Sequence, residues 1–184
     1  MEVIGTHFFG YGSLVNLATH GYKSPRKATV QGWRREWVYS AKREVSFLSA
    51  VKDPNASIQG LVADVTDIGW DALDIREAAY NRFKLTQTDG LHGVQIYVAD
   101  PLHIGPKSQD RPILLSYLDC VVQGFLEQFG EQGVASFFES TVGWDRPIKD
   151  DRNNPIYPRA QILTKNELQL VDGHLEQLST TIVP

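Results

Sequence analysis

The chain has 184 residues, with 18 Lys and Arg against 22 Asp and Glu, for a formal net charge of −4; 42% of its residues are hydrophobic and 22% charged. That length buries a core without disulfide or metal staples, and the mild acidity offers no basic field for nucleic acid or an anionic membrane. No apolar stretch approaches the roughly 20 residues of a membrane helix, and the start Met1-Glu2-Val3-Ile4-Gly5 has no basic region followed by a long apolar one, so a soluble cytoplasmic protein is expected.

Residues 7–11 predict a short strand running into a glycine-flanked turn, and the polar stretch 21–27, with Pro25, predicts a loop. Residues 28–41, 47–51 and 58–65 are rich in Val, Trp, Tyr and Ile and predict three strands, with Asp53-Pro54-Asn55 as turn material between the last two. Thr66 and Asp67 suit the cap of a helix from about Ile68 to about Ala79. Residues 82–86 and 94–99 predict two further strands joined through Asp89-Gly90. Thereafter the periodicity becomes helical. One helix is expected over 112–129, ending at Gly130, a second over 132–140, and a third over 164–178, where Thr164 and Glu167 form a capping-box pattern. Between the last two, 144–158 holds three prolines and predicts a long irregular segment.

Strands over 1–100 and helices over 110–184 are expected to make one domain of α+β class: a small mixed β-barrel or curled sheet with flanking helices. The lone Cys120 lies in an apolar run and is expected to pack in the core. His7, His20, His92, His103 and His174 are not spaced as ligand pairs and have no cysteine partner, so neither a metal nor a cofactor is expected.

Two segments have the makings of chemistry. In Phe9-Gly10-Tyr11-Gly12-Ser13-Leu14, two glycines flank an aromatic just after a strand. Such a turn can bring backbone N–H groups close to an anion, or simply link two strands. It is not a dinucleotide fingerprint or a phosphate loop, and Ser13 is not in a nucleophile elbow. In Leu73-Asp74-Ile75-Arg76-Glu77-Ala78-Ala79-Tyr80-Asn81-Arg82, helical spacing puts Glu77 between Trp70 and Leu73 and beside Tyr80. A carboxylate in an apolar row near the negative end of a helix is expected to hold its proton more tightly than usual. The structural alternative is an ion pair to Arg76 or Arg82 that fixes helix to sheet. Asp74, one turn earlier, points toward Asp71 and is expected in solvent or in a cap.

Together, in this order and spacing, Tyr11-Gly12-Ser13-Leu14 and Arg76-Glu77-Ala78-Ala79-Tyr80-Asn81-Arg82 resemble the motifs of the gamma-glutamylcyclotransferase superfamily, which includes AIG2-like and ChaC-like proteins. Gly32-Trp33-Arg34-Arg35 and Gly60-Leu61-Val62 resemble its strands, and Ser116-Tyr117-Leu118 and Pro155-Ile156-Tyr157-Pro158-Arg159 resemble a bacterial branch. The resemblance covers roughly residues 6–100; the Gly-x-Ser-Gly stretch of the ChaC-like, glutathione-degrading branch has no clear counterpart. It implies a small gamma-glutamyl substrate that cyclises to 5-oxoproline and releases an amine. Glu77 would be the catalytic acid and base. Tyr11, Gly12, Ser13 and Leu14 would hold a carboxylate or oxyanion, and Tyr80 and Tyr117 would orient the substrate amine or Glu77. A non-catalytic binding module on the same fold is the alternative.

Overall fold

In the computed structural model, which describes residues 5–86, 92–108 and 110–184, the chain begins in β1 (His7–Gly10) and soon enters a long hairpin of β2 (Lys23–Tyr39) and β3 (Ser46–Asp64). β1 lies antiparallel to β3 and parallel to β5 (Gln95–Ala99), which pairs antiparallel with β4 (Tyr80–Lys84). The short strands β6 (Ile113–Leu114), β8 (Ile148–Lys149) and β9 (Ile182–Val183) extend the sheet in parallel beyond β3, and β7 (Thr141–Val142) adds to β2. The result is a mixed, curled sheet that does not close, an α+β architecture. The helices α1 (Trp70–Arg76), α2 (Leu115–Ser140) and α3 (Lys165–Gln177) accompany it.

The hairpin corrects two expectations. Residues 21–27 are not all loop, because β2 already begins at Lys23. The register slips by one residue between Lys23 and Arg26, and Pro25 falls in that bulge, where its missing N–H costs the ladder nothing. The separate strands expected over 47–51 and 58–65 are one strand of 19 residues. Asp53-Pro54-Asn55 does break the pairing: Gln31 faces Ser57 and Trp33 faces Lys52, so residues 53–56 bulge opposite Gly32 alone. Continuous pairing with β2 on both sides carries the chain through a local turn signal.

α1 is shorter than expected and is capped differently. Its N-cap is Gly69, while Thr66 N–H donates to Asp64 Oδ1 in the preceding turn. It ends with Glu77 as C-cap, because residues 77–79 must turn the chain into β4, where Tyr80 pairs with Ala99. The turn expected at Asp89-Gly90 and the chain start at residues 1–4 lie outside the described residues.

α2 starts at Leu115, after two residues of strand, and its two expected helical halves meet at Gly130. There φ is 69°, a left-handed conformation that glycine adopts without strain. Val121, Val122, Phe125 and Phe137 of α2 pack against Val30, Trp37, Leu48 and Leu61 of the hairpin, and Cys120 is buried beside them. α3 has the full capping box at Thr164 and Glu167. No helix among the described residues is long and apolar enough to cross a membrane.

Candidate active site

β1 delivers the chain to Tyr11 at the edge of the core. The phenol of Tyr11 is 6% exposed; it donates to the Tyr97 carbonyl at 2.6 Å and accepts the Ala50 N–H at 3.0 Å, so its hydroxyl is already engaged by the scaffold. Burial raises its pKa above the ordinary phenol value. After Gly12 the backbone tightens into a 3-10 turn, Ser13–Val15, whose first bond runs from Val15 N–H to Gly12 O at 3.0 Å. The N–H groups of Ser13 and Leu14 precede that bond and have no partner within the turn. The Leu14 side chain is buried, packing with Phe8 and Tyr22.

Glu77 comes from the C-terminal end of α1. Its side chain is 15% exposed, and Oε1 accepts from Arg76 Nε at 3.1 Å. Arg76 also donates to the Thr19 carbonyl at 2.9 Å, to Thr19 Oγ1 at 3.0 Å and to Ser13 Oγ at 3.3 Å. One guanidinium therefore ties Glu77 to the segment that follows β1. Arg82, the other expected partner, pairs with Asp74 instead at 2.8 Å, and the Tyr97 hydroxyl donates to Asp74 at 2.6 Å. Asp74 is thus no helix cap; its side chain is partly exposed to solvent, as expected, but is also held by Arg82 and Tyr97.

Tyr80 donates its hydroxyl to the Leu48 carbonyl at 2.8 Å. The Tyr117 ring stands edge-on to Trp37 and to Tyr157, with centroids 5.9 and 5.0 Å apart. Burial lifts the pKa of both Tyr80 and Tyr117 well above the phenol range.

Gly12, Ser13, Leu14, Glu77, Tyr80 and Tyr117 all border one small pocket of about 30 Å³. A side chain at residue 12 would crowd this space, since its Cβ would lie 2.8 Å from the Tyr117 hydroxyl, which would have to shift. A larger cavity of about 460 Å³ shares Ser13, Glu77, Tyr80 and Tyr117 with it. This cavity is also lined by Tyr157 and Arg159 of the irregular segment and by Lys42, Arg43 and His103. The second group was not singled out from sequence as site residues. The segment 155–159 carries a signal in its motif, but Lys42, Arg43 and His103 carry none, being brought in by the hairpin end and a distant turn. Among the described residues no three His, Cys, Asp or Glu side chains gather closely enough to hold a metal ion.

The pKa of Glu77 lies above its ordinary value of 4.5, chiefly because burial disfavours its charge; Arg76 and Arg159 pull it back down. The folded state therefore keeps this proton over a pH range where the unfolded chain has lost it. The stability so gained is complete below the ordinary value and is lost as pH rises through the raised one. Wild type is expected to lose stability relative to Glu77→Gln as pH rises from the ordinary value of 4.5 through the raised one. Thermal unfolding of both proteins across that range checks it; parallel curves would refute a raised value.

No family model matches the chain, and no curated protein sequence does. Solved structures do match. An uncharacterized protein from Homo sapiens superposes with a TM-score of 0.57 at 13% identity, over 92% of this chain and 99% of that one. A gamma-glutamyl cyclotransferase gives 0.54 at 11% identity, over 92% and 99%. YkqA from Bacillus subtilis gives 0.50 at 16% identity, over 76% of this chain and 56% of that one. At these identities the likeness is one of fold, and that fold is gamma-glutamyl cyclotransferase-like.

Proposed function

We propose that the protein is a cytoplasmic enzyme of the gamma-glutamylcyclotransferase kind, one domain over residues 1–184, which converts a gamma-glutamyl amide to 5-oxoproline and a free amine. One observation carries the reading: a largely buried carboxylate, Glu77, borders the same small pocket as the turn at Gly12, Ser13 and Leu14. The fold adds support, as does the motif at 155–159, which favours the bacterial branch.

In this reaction the substrate supplies its own nucleophile. Its alpha-amine attacks its gamma-carbonyl carbon, a C–N bond closes the five-membered ring, and the original amide C–N bond breaks. Holding the glutamyl chain folded removes much of the entropic barrier. Glu77 takes the proton that the attacking amine sheds and returns one to the leaving nitrogen. A carboxyl with a raised pKa suits both tasks, because neither transfer is then steeply uphill near neutral pH. The main-chain donors of the turn receive the carbonyl oxygen as it becomes anionic. Tyr80 and Tyr117 flank Glu77 and limit the positions open to the substrate amine.

The charges of the large cavity bear on the leaving group. Arg76 is answered by Glu77, whereas Lys42, Arg43 and Arg159 face the cavity with no other carboxylate among the described residues on its walls. An amine that itself bears a carboxylate, such as an amino acid or short peptide, fits this surplus better than a polyamine does. A mass-spectrometric screen of gamma-glutamyl compounds for 5-oxoproline tests both points. Gamma-glutamyl amino acids are expected to exceed gamma-glutamyl polyamines in kcat/KM by about tenfold, the effect of roughly 1.4 kcal/mol of charge complementarity. Release of 5-oxoproline from no compound would overturn the reading.

A second reading rests on the Arg76–Glu77 pair itself. Glu77 serves in it as an anchor for Arg76, and the cavity binds a small molecule without turnover. Wild-type protein would then bind a gamma-glutamyl compound and leave it intact.

A further inference from the structure

Arg35 of β2 is 1% exposed, and no carboxylate among the described residues forms an ion pair with it. Its guanidinium is met by neutral groups: Nε donates to the Tyr11 carbonyl at 2.8 Å, Nη1 to Ser140 Oγ at 3.1 Å, and Nη2 to the Gln59 carbonyl. The rings of Phe125 and Phe137 cover it, with centroids 4.9 and 5.3 Å away. Burial pulls its pKa down to about 9. A buried charge without a counterion is costly, and an apolar side chain of similar volume would usually serve stability as well or better. The arginine needs a reason beyond packing.

The bond to Tyr11 O supplies one. The Tyr11–Gly12 peptide is trans and planar, so its C=O and N–H point in opposite directions. With the carbonyl drawn into the core by Arg35, the Gly12 N–H is turned away from the core, and Gly12 borders the pocket that holds Glu77. The Tyr11 phenol is fixed independently by Ala50 and Tyr97, so the peptide is restrained from both sides. A cation on the carbonyl also polarises the peptide, which makes its N–H a better donor. We propose that Arg35 is a positioning residue: it sets the Gly12 N–H as the main-chain donor that receives the substrate's carbonyl oxygen in the transition state. This rests on the cyclotransferase reading.

The test compares wild type, Arg35→Met and Arg35→Lys on the best gamma-glutamyl compound of the screen, with circular dichroism and thermal unfolding alongside. Arg35→Met is expected to fold and to lose about 100-fold in kcat, the effect of a misplaced oxyanion donor, while KM changes by less than about threefold. Arg35→Lys is expected to recover part of kcat, since an ammonium can reach one of the three acceptors. A folded Arg35→Met with kcat near wild type would overturn the proposal, as would a loss confined to KM. If Arg35→Met does not fold, Arg35→Lys decides on the same kcat and KM criterion. Failure of both to fold assigns Arg35 to the core alone and also overturns it. An inactive wild type removes the cyclotransferase reading and this proposal together, whereas an active wild type with an active Arg35→Met removes only this one.

Discussion

Glu77→Gln is expected to lower 5-oxoproline release by about 10³-fold without unfolding the protein, within the range that loss of a positioned acid–base group commonly brings. The two side chains match in shape, and the amide oxygen still accepts from Arg76 Nε, which now stands 3.1 Å from Glu77 Oε1. Arg76 keeps its bonds to Thr19 and Ser13, so the link between α1 and the turn after β1 survives. Removing the charge discards an ion pair, but it also discards the burial cost that raises the Glu77 pKa, and the two largely offset. An amide neither accepts nor returns a proton, so kcat should fall and KM should barely move. The check is kcat by mass spectrometry, with circular dichroism of the same sample. Turnover within about threefold of wild type would remove Glu77 from the mechanism. Intact ligand binding in both proteins, with turnover in neither, would favour the binding-module reading.

The segments that carry this chemistry were legible because each is local. Glycines around Tyr11 mark a turn whatever surrounds them, and Glu77 among Trp70, Leu73 and Tyr80 is out of place on any amphipathic helix. The structure brings Glu77 and Gly12, 65 positions apart in sequence, to one pocket. What the sequence concealed depends on long-range pairing. Pro54 reads as a turn, yet β3 continues past it because β2 offers partners on either side. The end of α1 at Glu77, and not near Ala79, is dictated by β4 meeting β5. Arg35 reads as one more strand residue; only the packing of α2 over β2 leaves it buried beneath Tyr11. Lys42 and His103 meet at 3.2 Å across a separation that no motif spans.

The cap of α2 is the clearest case of a local feature with a distant source. No side chain at the start of α2 caps it; Asp151 does so from the irregular segment. Its carboxylate is 5% exposed and accepts the Ser116 N–H at 2.8 Å, the Ser116 hydroxyl at 2.6 Å and the Ile156 N–H at 2.9 Å. Arg152 fastens the same segment to the helices, with bonds of 2.8 Å to Asp119 of α2 and to Asp172 of α3. Asp151 thus holds two walls of the cavity at once: Tyr117, which follows Ser116, and Tyr157 with Arg159 beyond Ile156. Asp151→Ala leaves the buried N–H and hydroxyl of Ser116 and the part-buried N–H of Ile156 without their acceptor and removes a negative charge from a helix N-terminus. The expected cost is about 2–4 kcal/mol. For a chain of this size that corresponds to a fall of about 5–15 °C in Tm. Asp150→Ala next door, where the carboxylate is exposed and, among the described residues, accepts only from Arg152 N–H at 3.2 Å, should cost about 0.5 kcal/mol or less. Below its lowered Tm, Asp151→Ala retains Glu77 and the turn at Gly12 but presents Tyr117, Tyr157 and Arg159 loosely. KM should therefore rise more than kcat falls, the reverse of Glu77→Gln. Equal Tm values for the Asp150 and Asp151 variants would mean that the segment is held in place by its other contacts and that this carboxylate is dispensable.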